Sequence, residues 1–188
     1  MMTQKIKKLY KKLPVFIFLL LHLVFLAVAI FENKNKFYPL LVLTVIAVLL
    51  GFFYSGKIKA DTSRLKIIDF ILIPATILGA VLTYWLNLAL AFNAVLAAAL
   101  VGLVSSFLPF LNRNSDLLRE LPVAIYCGAF AGMTAPIIAQ GYTFIFLAGL
   151  ISGVILVISK DTLHGYGGKL GSIAFGGVTL ISLIFLLF

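Results

Sequence analysis

The chain contains few residues that can bind a metal or perform redox chemistry. Only six Asp and Glu residues occur among 188, together with two His and one Cys. Two His and one Cys are too few for a haem pair, a zinc-protease motif or a di-iron site. A single Cys also allows no internal disulfide. We therefore expect no metal and no cofactor.

None of the carboxylates falls in the middle of an apolar segment. Pumps that couple protons or sodium through carboxylates place Asp or Glu within their membrane spans, so this class is disfavoured. A retinal protein would need a lysine within an apolar segment, and there is none. No nucleophile lies in a recognisable catalytic setting, so no catalytic residue is assigned and an enzyme is the less favoured interpretation.

What the sequence has instead is seven apolar runs that fill nearly its whole length. Each run is close to the ~20 residues with which a helix crosses the hydrocarbon core of a bilayer. Barrel strands would show polar and apolar residues alternating over ~10 positions, and this pattern is absent. The predicted fold is an all-α bundle of seven transmembrane helices. The runs are residues 14–31, 37–54, 67–86, 91–110, 121–139, 142–159 and 170–188.

Lys and Arg residues occur almost entirely in every second connection between these runs. All but Lys34 and Lys36 lie before the first run or in the second, fourth and sixth connections. Cationic loops remain on the cytoplasmic side of a membrane. We therefore expect a cytoplasmic N-terminus, an extracytoplasmic C-terminus, and a location in the bacterial cytoplasmic (inner) membrane.

We interpret the net charge of +9 as a determinant of membrane topology. Basic residues beside membrane spans set orientation and meet anionic lipid headgroups on the cytoplasmic side. The expected partners are thus membrane lipids and not nucleic acid. The first run also has features of a cleavable secretory signal, but it is longer than a usual signal core, so we interpret it as a retained helix.

No connection is long enough for a soluble domain, so residues 1–188 are predicted to form one transmembrane domain. Within it we expect peripheral helices at 14–31 and 37–54, a central hairpin at 67–110 and a glycine-rich packed core at 121–188. Small residues four positions apart allow helices to approach closely. Three such pairs occur in the last three runs: Gly128 with Gly132, Gly149 with Gly153, and Ser172 with Gly176.

The sixth connection and the start of the last run, residues 159–171, contain the most polar cluster of the chain. Successive glycines can turn their N–H groups toward an anion, and a helix start adds its positive dipole end. One interpretation is a cytoplasmic site for a phosphate, lipid headgroup or carboxylate. The other is a flexible turn whose lysines only set topology. The candidate residues are Lys160, Asp161, His164, Gly165, Tyr166, Gly167, Gly168 and Lys169.

A proline interrupts the fifth run. Pro136 leaves a carbonyl of the preceding turn without its usual donor, so residues 132–141 are predicted to contain a kinked or unwound helix. Transporters bind solutes at such breaks, although kinks without a substrate also occur because neighbouring groups satisfy the freed carbonyls. The candidates for lining a pore or the break are Asn93, Thr134, Pro136 and Gln140.

Two ionisable residues lie within the runs themselves. His22 is in the middle of the first run; it either forms a hydrogen bond across a helix interface or serves proton relay or ligation. Asp69 lies three positions into the third run, where we interpret it as half of a structural ion pair with a nearby lysine such as Lys66.

Three functions remain open from the sequence. The leading hypothesis is a small channel or transporter for an ion or small solute, with the sixth connection as an anion or headgroup site. The first alternative is a non-catalytic membrane subunit or sensor that forms a homo-oligomer and docks a protein partner. The second alternative is a lipid-modifying membrane enzyme that uses the same connection to hold a headgroup.

Overall fold

The computed structural model describes residues 2–55, 67–160 and 168–187, which are helices and short connections without any strand in these ranges. Nine α-helices and one 3₁₀ helix occur in this part of the chain. They are α1 (Met2–Glu32), α2 (Phe37–Ser55), the 3₁₀ helix Ile67–Ile71, α3 (Leu72–Ala89), α4 (Ala94–Ser105), α5 (Leu108–Leu111), α6 (Asp116–Gly132), α7 (Pro136–Ala139), α8 (Tyr142–Ile158) and α9 (Lys169–Leu187).

Four segments are long and apolar enough to cross a membrane. Large apolar side chains also point outward along the helices, with Leu111 78%, Ile137 87% and Leu186 81% exposed, which is unusual for a soluble protein. The prediction of an all-helical membrane protein is thus confirmed. The four segments are Val15–Glu32, Ile68–Ala89, Ala94–Leu111 and Lys169–Leu187, and the apolar helices Phe37–Phe52 and Tyr142–Ile158 are shorter.

The predicted count of seven spans is not reached by helix length and composition alone. The clearest difference concerns the fifth run, which is divided between α6 and α7. At 1.5 Å per residue, the apolar part of α6 after Glu120 covers only about 18 Å, whereas the hydrocarbon core is about 30 Å thick. Helix α6 therefore cannot cross a bilayer by itself.

The described chain divides into two compact units. One contains α1 and α2, and the other contains the 3₁₀ helix and α3 to α9. We call them the α1–α2 unit and the α3–α9 unit. The α3–α9 unit contains every candidate residue that the structure describes except His22.

Helix α3 is the centre of the α3–α9 unit, because α4, α6 and α8 all pack against it. Helix α6 runs parallel to α3: Gly128 lies against Thr76, and Gly132 lies against Thr83 farther along. Helix α8 runs antiparallel to α3, and α9 packs on α8. Alternating directions of this kind are what successive crossings of a membrane require.

The close approach of these helices depends on glycine. A Cβ on Gly128 would overlap the Thr76 carbonyl, and a Cβ on Gly79 would overlap the Ile125 carbonyl. Gly149 and Gly153 likewise lie against the backbone of α3 at Ile77 and Ile73. Between helices in a membrane the attraction comes mainly from such van der Waals contact, so these glycines stabilise the unit directly.

The third small pair lies on α9. Gly176 is buried and Ser172 is half-buried. The neighbouring Gly177 faces α8, where a Cβ would meet the Ser152 hydroxyl and the Ala148 carbonyl. Two of the three predicted pairs, those on α6 and α8, therefore pack on α3 and not on each other.

We expect Gly128→Ala to lower the free energy of unfolding by about 2–3 kcal/mol, because the methyl group forces α6 away from α3. Gly171→Ala is the matched control. A Cβ there meets nothing within 4 Å, so this change should be neutral or slightly stabilising. Unfolding of both variants from mild detergent into SDS measures the difference, and equal stabilities would contradict the packing described.

Candidate functional site

The best-defined polar cluster of the α3–α9 unit is centred on Lys160, just after the end of α8. Its Nζ atom lies 2.8 Å from Asp69 Oδ1 and 2.6 Å from Glu120 Oε2. Asp69 belongs to the 3₁₀ helix that leads into α3, and Glu120 lies near the start of α6. One ammonium group therefore connects the starts of two helices to the end of a third.

The three side chains differ in exposure. The side chain of Asp69 is 4% exposed, that of Lys160 24% and that of Glu120 36%. The contact with Asp69 is therefore shielded from water, whereas the contact with Glu120 lies at the surface. Because ion pairs strengthen where water is excluded, the Asp69 contact contributes more to stability.

Local hydrogen bonds fix the elements that carry these residues. The Ser115 hydroxyl accepts from the Leu118 N–H at 3.4 Å, which caps the start of α6. The Ser159 hydroxyl donates to the Ile155 carbonyl at 2.6 Å at the end of α8. Lys169 Nζ donates to the Lys160 carbonyl at 2.7 Å, which holds the start of α9 beside the end of α8.

Two opposing effects set the pKa of Lys160. Burial disfavours the ammonium form, but hydrogen bonds to Asp69 and Glu120 and the Coulomb attraction of both carboxylates outweigh it. The pKa of Lys160 is therefore raised above its ordinary value, and the side chain is charged at neutral pH. With two carboxylates and one ammonium, the cluster carries a formal charge of −1.

A cleft of about 430 Å³ opens beside this cluster. Its wall combines acidic and basic side chains with a few apolar ones, so it can hold a small polar solute or ordered water. Among the described residues, no three His, Cys, Asp or Glu side chains come together as metal ligands. The lining residues are Ile68, Asp69, Ser115, Asp116, Leu117, Arg119, Glu120 and Lys160.

The predicted anion site in the sixth connection falls largely outside the described residues, which include only three of its candidates. Gly168 has a φ of 83°, a conformation that favours glycine. The ammonium groups of Lys160 and Lys169 both bind protein oxygen atoms. The candidates that lie outside the described residues are Asp161, His164, Gly165, Tyr166 and Gly167.

At the opposite end of the α3–α9 unit, α6 stops at Gly132. The Thr134 hydroxyl donates to the Ala131 carbonyl at 2.7 Å, and Ala135 is extended with a ψ of 139°. The short helix α7 begins at Pro136 and ends at Ala139, and the residue that follows it, Gln140, has a φ of 51°. The helix is therefore interrupted between Gly132 and Pro136, within residues 132–141.

The other pore candidate, Asn93, caps α4. Its side-chain oxygen accepts from the Val95 N–H at 3.0 Å. Within the described residues, Asn93 and Thr134 thus both form hydrogen bonds to their own helix ends, and the Gln140 residue is exposed. Among the described residues, no contact brings these three side chains together.

His22 lies in the α1–α2 unit, where its Nδ1 atom is 2.6 Å from the Phe18 carbonyl. The same nitrogen is 3.3 Å from the Tyr54 hydroxyl on α2. The short contact with a carbonyl assigns the proton to Nδ1. His22 therefore takes part in a hydrogen-bond network across the interface between α1 and α2. A hydrogen bond across a helix interface is the first of the two interpretations of His22 from the sequence.

The search for similar proteins gives no guide to function. No protein family, no curated protein and no solved structure matches the chain.

Sequence reasoning missed the central feature of the site, which is that Lys160 joins two carboxylates. Asp69 does form an ion pair, and its partner Lys160 is 91 positions away in the chain; Lys66, the local lysine named for it from the sequence, lies outside the described residues. The sequence does contain a signal for this contact. The charge pattern places the starts of the third and fifth runs and the end of the sixth run on the same side of the membrane.

We expect Asp69→Asn to lower the free energy of unfolding by about 2 kcal/mol, the loss typical of a hydrogen bond to a charged group. The matched control is Asp116→Asn, an exposed residue in the first turn of α6. This control should cost less than about 1 kcal/mol, since only its interaction with the helix dipole is weakened. Unfolding into SDS measures both, and a larger loss in the control would contradict the burial of the Asp69 contact.

We also expect the stabilisation by Lys160 to depend on pH in the alkaline range. Because its pKa is raised by folding, its contribution is fully present below the unfolded value of about 10.4. It is lost as pH rises through the higher folded-state pKa. The stability difference between the wild type and Lys160→Met should be constant from neutral pH to about 10 and then shrink. A difference that is unchanged above this range would refute the ion pairs.

Proposed function

We propose that this chain is a small channel or transporter with seven membrane spans, a cytoplasmic N-terminus and an extracytoplasmic C-terminus. An ion or small solute passes through the α3–α9 unit. In this arrangement the Lys160 cluster lies at the cytoplasmic end and the break after Gly132 lies toward the extracytoplasmic end.

The directions of the helices support this arrangement. Because Lys160 contacts Asp69 and Glu120, the starts of α3 and α6 lie at the same end as the end of α8. These are the directions expected for the third, fifth and sixth of seven spans. Arg119 and Lys169 lie at this end as well, and exposed cations there would meet anionic headgroups on the cytoplasmic side.

The observation that carries the proposal is a buried hydroxyl group beside a helix that stops within the unit. Thr83 is fully buried, and its hydroxyl has no hydrogen-bond partner among the described residues. A Cβ on Gly132 would lie 2.8 Å from the Thr83 Cβ, so this side chain lies beside the last residue of α6. Transporters bind ions and solutes with such helix ends, and a permeant ligand would supply the missing partner.

One observation favours a second candidate, the non-catalytic membrane subunit. The side chains of Asn93 and Thr134 bind their own helix ends, and α3, α6 and α8 are in direct backbone contact. A tightly packed unit of this kind suits a scaffold that docks a partner. The unpartnered Thr83 hydroxyl has no role in that interpretation, so we place it second.

The test is permeation in proteoliposomes that contain the purified protein. Fluxes of Na⁺, K⁺ and Cl⁻ are followed with dyes, and entry of small neutral solutes is followed by light scattering. We expect at least one of them to cross faster than in protein-free liposomes. Thr83→Val keeps the shape of the side chain but removes the hydroxyl, and it should slow that flux about tenfold, the effect of one lost hydrogen bond.

Ser152→Ala is the matched control, because Ser152 is also buried and its hydroxyl also has no partner among the described residues. It faces α9 and not the break, so it should leave the flux unchanged. Neither change should lower stability, since each removes an unpaired buried hydroxyl. If no ion or solute crosses faster than in protein-free liposomes, permeation is rejected and the subunit interpretation takes its place.

A further inference from the structure

The first two turns of α6 are held differently from the rest of the helix. From Asp116 to Val123 no residue is buried, whereas burial begins at Ala124. The buried part is fixed to α3 by the contacts of Gly128 and Gly132. The start of α6 has no glycine contact of this kind with α3 among the described residues.

A proline separates the two parts. Pro122 lies inside α6, where it cannot donate a hydrogen bond to the carbonyl of Leu118 and where its ring favours a bend. The helix is therefore weakest between its exposed first turns and its buried remainder. A movement of the first turns would leave the glycine contacts with α3 intact.

Glu120 links this loosely packed segment to the rest of the unit. Its carboxylate binds Lys160 at 2.6 Å, and Lys160 also binds Asp69 at 2.8 Å. Of the two contacts, only the Glu120 contact involves α6. Removing Glu120 would leave the contact between Lys160 and Asp69 in place.

We propose that residues 116–121 form a cytoplasmic gate that is hinged at Pro122 and latched by the contact between Glu120 and Lys160. Breaking this contact lets the segment move away from the end of α8 and uncovers the interior of the α3–α9 unit. The proposal rests on the proposed function for what passes the gate, but the opening itself can be measured without any permeant solute.

The only cysteine of the chain is a natural reporter of this opening. Cys127 is fully buried, and its Sγ atom lies 3.7 Å from the Leu170 carbonyl at the start of α9. Leu170 follows Lys169, which binds the Lys160 carbonyl. Cys127 is thus connected to Lys160 through the start of α9 and lies on the anchored side of the hinge.

The experiment measures the rate at which N-ethylmaleimide modifies Cys127 in lipid nanodiscs, by intact-protein mass spectrometry. We expect Glu120→Met to react about threefold faster than the wild type, the size of effect that loss of an ion pair at the surface allows. Asp69→Asn is the matched control, because it also removes an acidic partner of Lys160 but leaves the latch on α6. It should react at close to the wild-type rate, although it destabilises the fold more.

A hinge variant tests the second part of the proposal. Adding Pro122→Ala to Glu120→Met restores a helical hydrogen bond, so we expect the reaction to slow toward the wild-type rate. If the double variant reacts as fast as Glu120→Met alone, Pro122 is not the hinge and the proposal is overturned.

Two other outcomes would overturn it as well. If Asp69→Asn reacts fastest, Cys127 reports loss of stability and not a gate. If Glu120→Met reacts like the wild type while its melting curve, followed by Trp85 fluorescence, is unchanged, no latch exists. Fast labelling of Glu120→Met without any flux in proteoliposomes would support the latch and reject the proposed function, so the two failures are distinguishable.

Discussion

The ammonium group of Lys160 is the constraint that joins three helices at one end of the α3–α9 unit. It binds the buried carboxylate of Asp69 and the exposed carboxylate of Glu120. Removing charges from water is costly, and such a cluster persists only where each charge has a close partner. The result is that α3, α6 and α8 meet at one end, although no covalent link holds them there.

Close backbone contact between helices complements this electrostatic link. Glycines of α6 and α8 lie directly on α3, so the helices approach each other most closely in the middle of the unit. The break after Gly132 and the loosely packed turns before Pro122 lie at opposite ends of the same helix. Under the proposed function, passage would be controlled at these two ends and not in the closely packed middle.

Much of this architecture could be predicted from the sequence, and the remainder could not for identifiable reasons. Apolar run length predicts helices, and proline with flanking glycine predicts the break near Pro136, because both are local effects. The partner of Asp69 depends on helices that are distant in the chain, and several acids and cations share that side of the membrane. The Thr83 hydroxyl, which has no partner among the described residues, has no sequence signal, since threonine usually bonds to its own helix.

The most direct test of the central claim is a double-mutant cycle between Lys160 and Asp69. Unfolding free energies of Lys160→Met, Asp69→Asn and the double variant give the coupling between the two side chains. The account predicts a coupling of about 1–3 kcal/mol, because each single change leaves a charge without its partner. Additive effects, with a coupling below about 0.5 kcal/mol, would show that Lys160 does not hold these helices together.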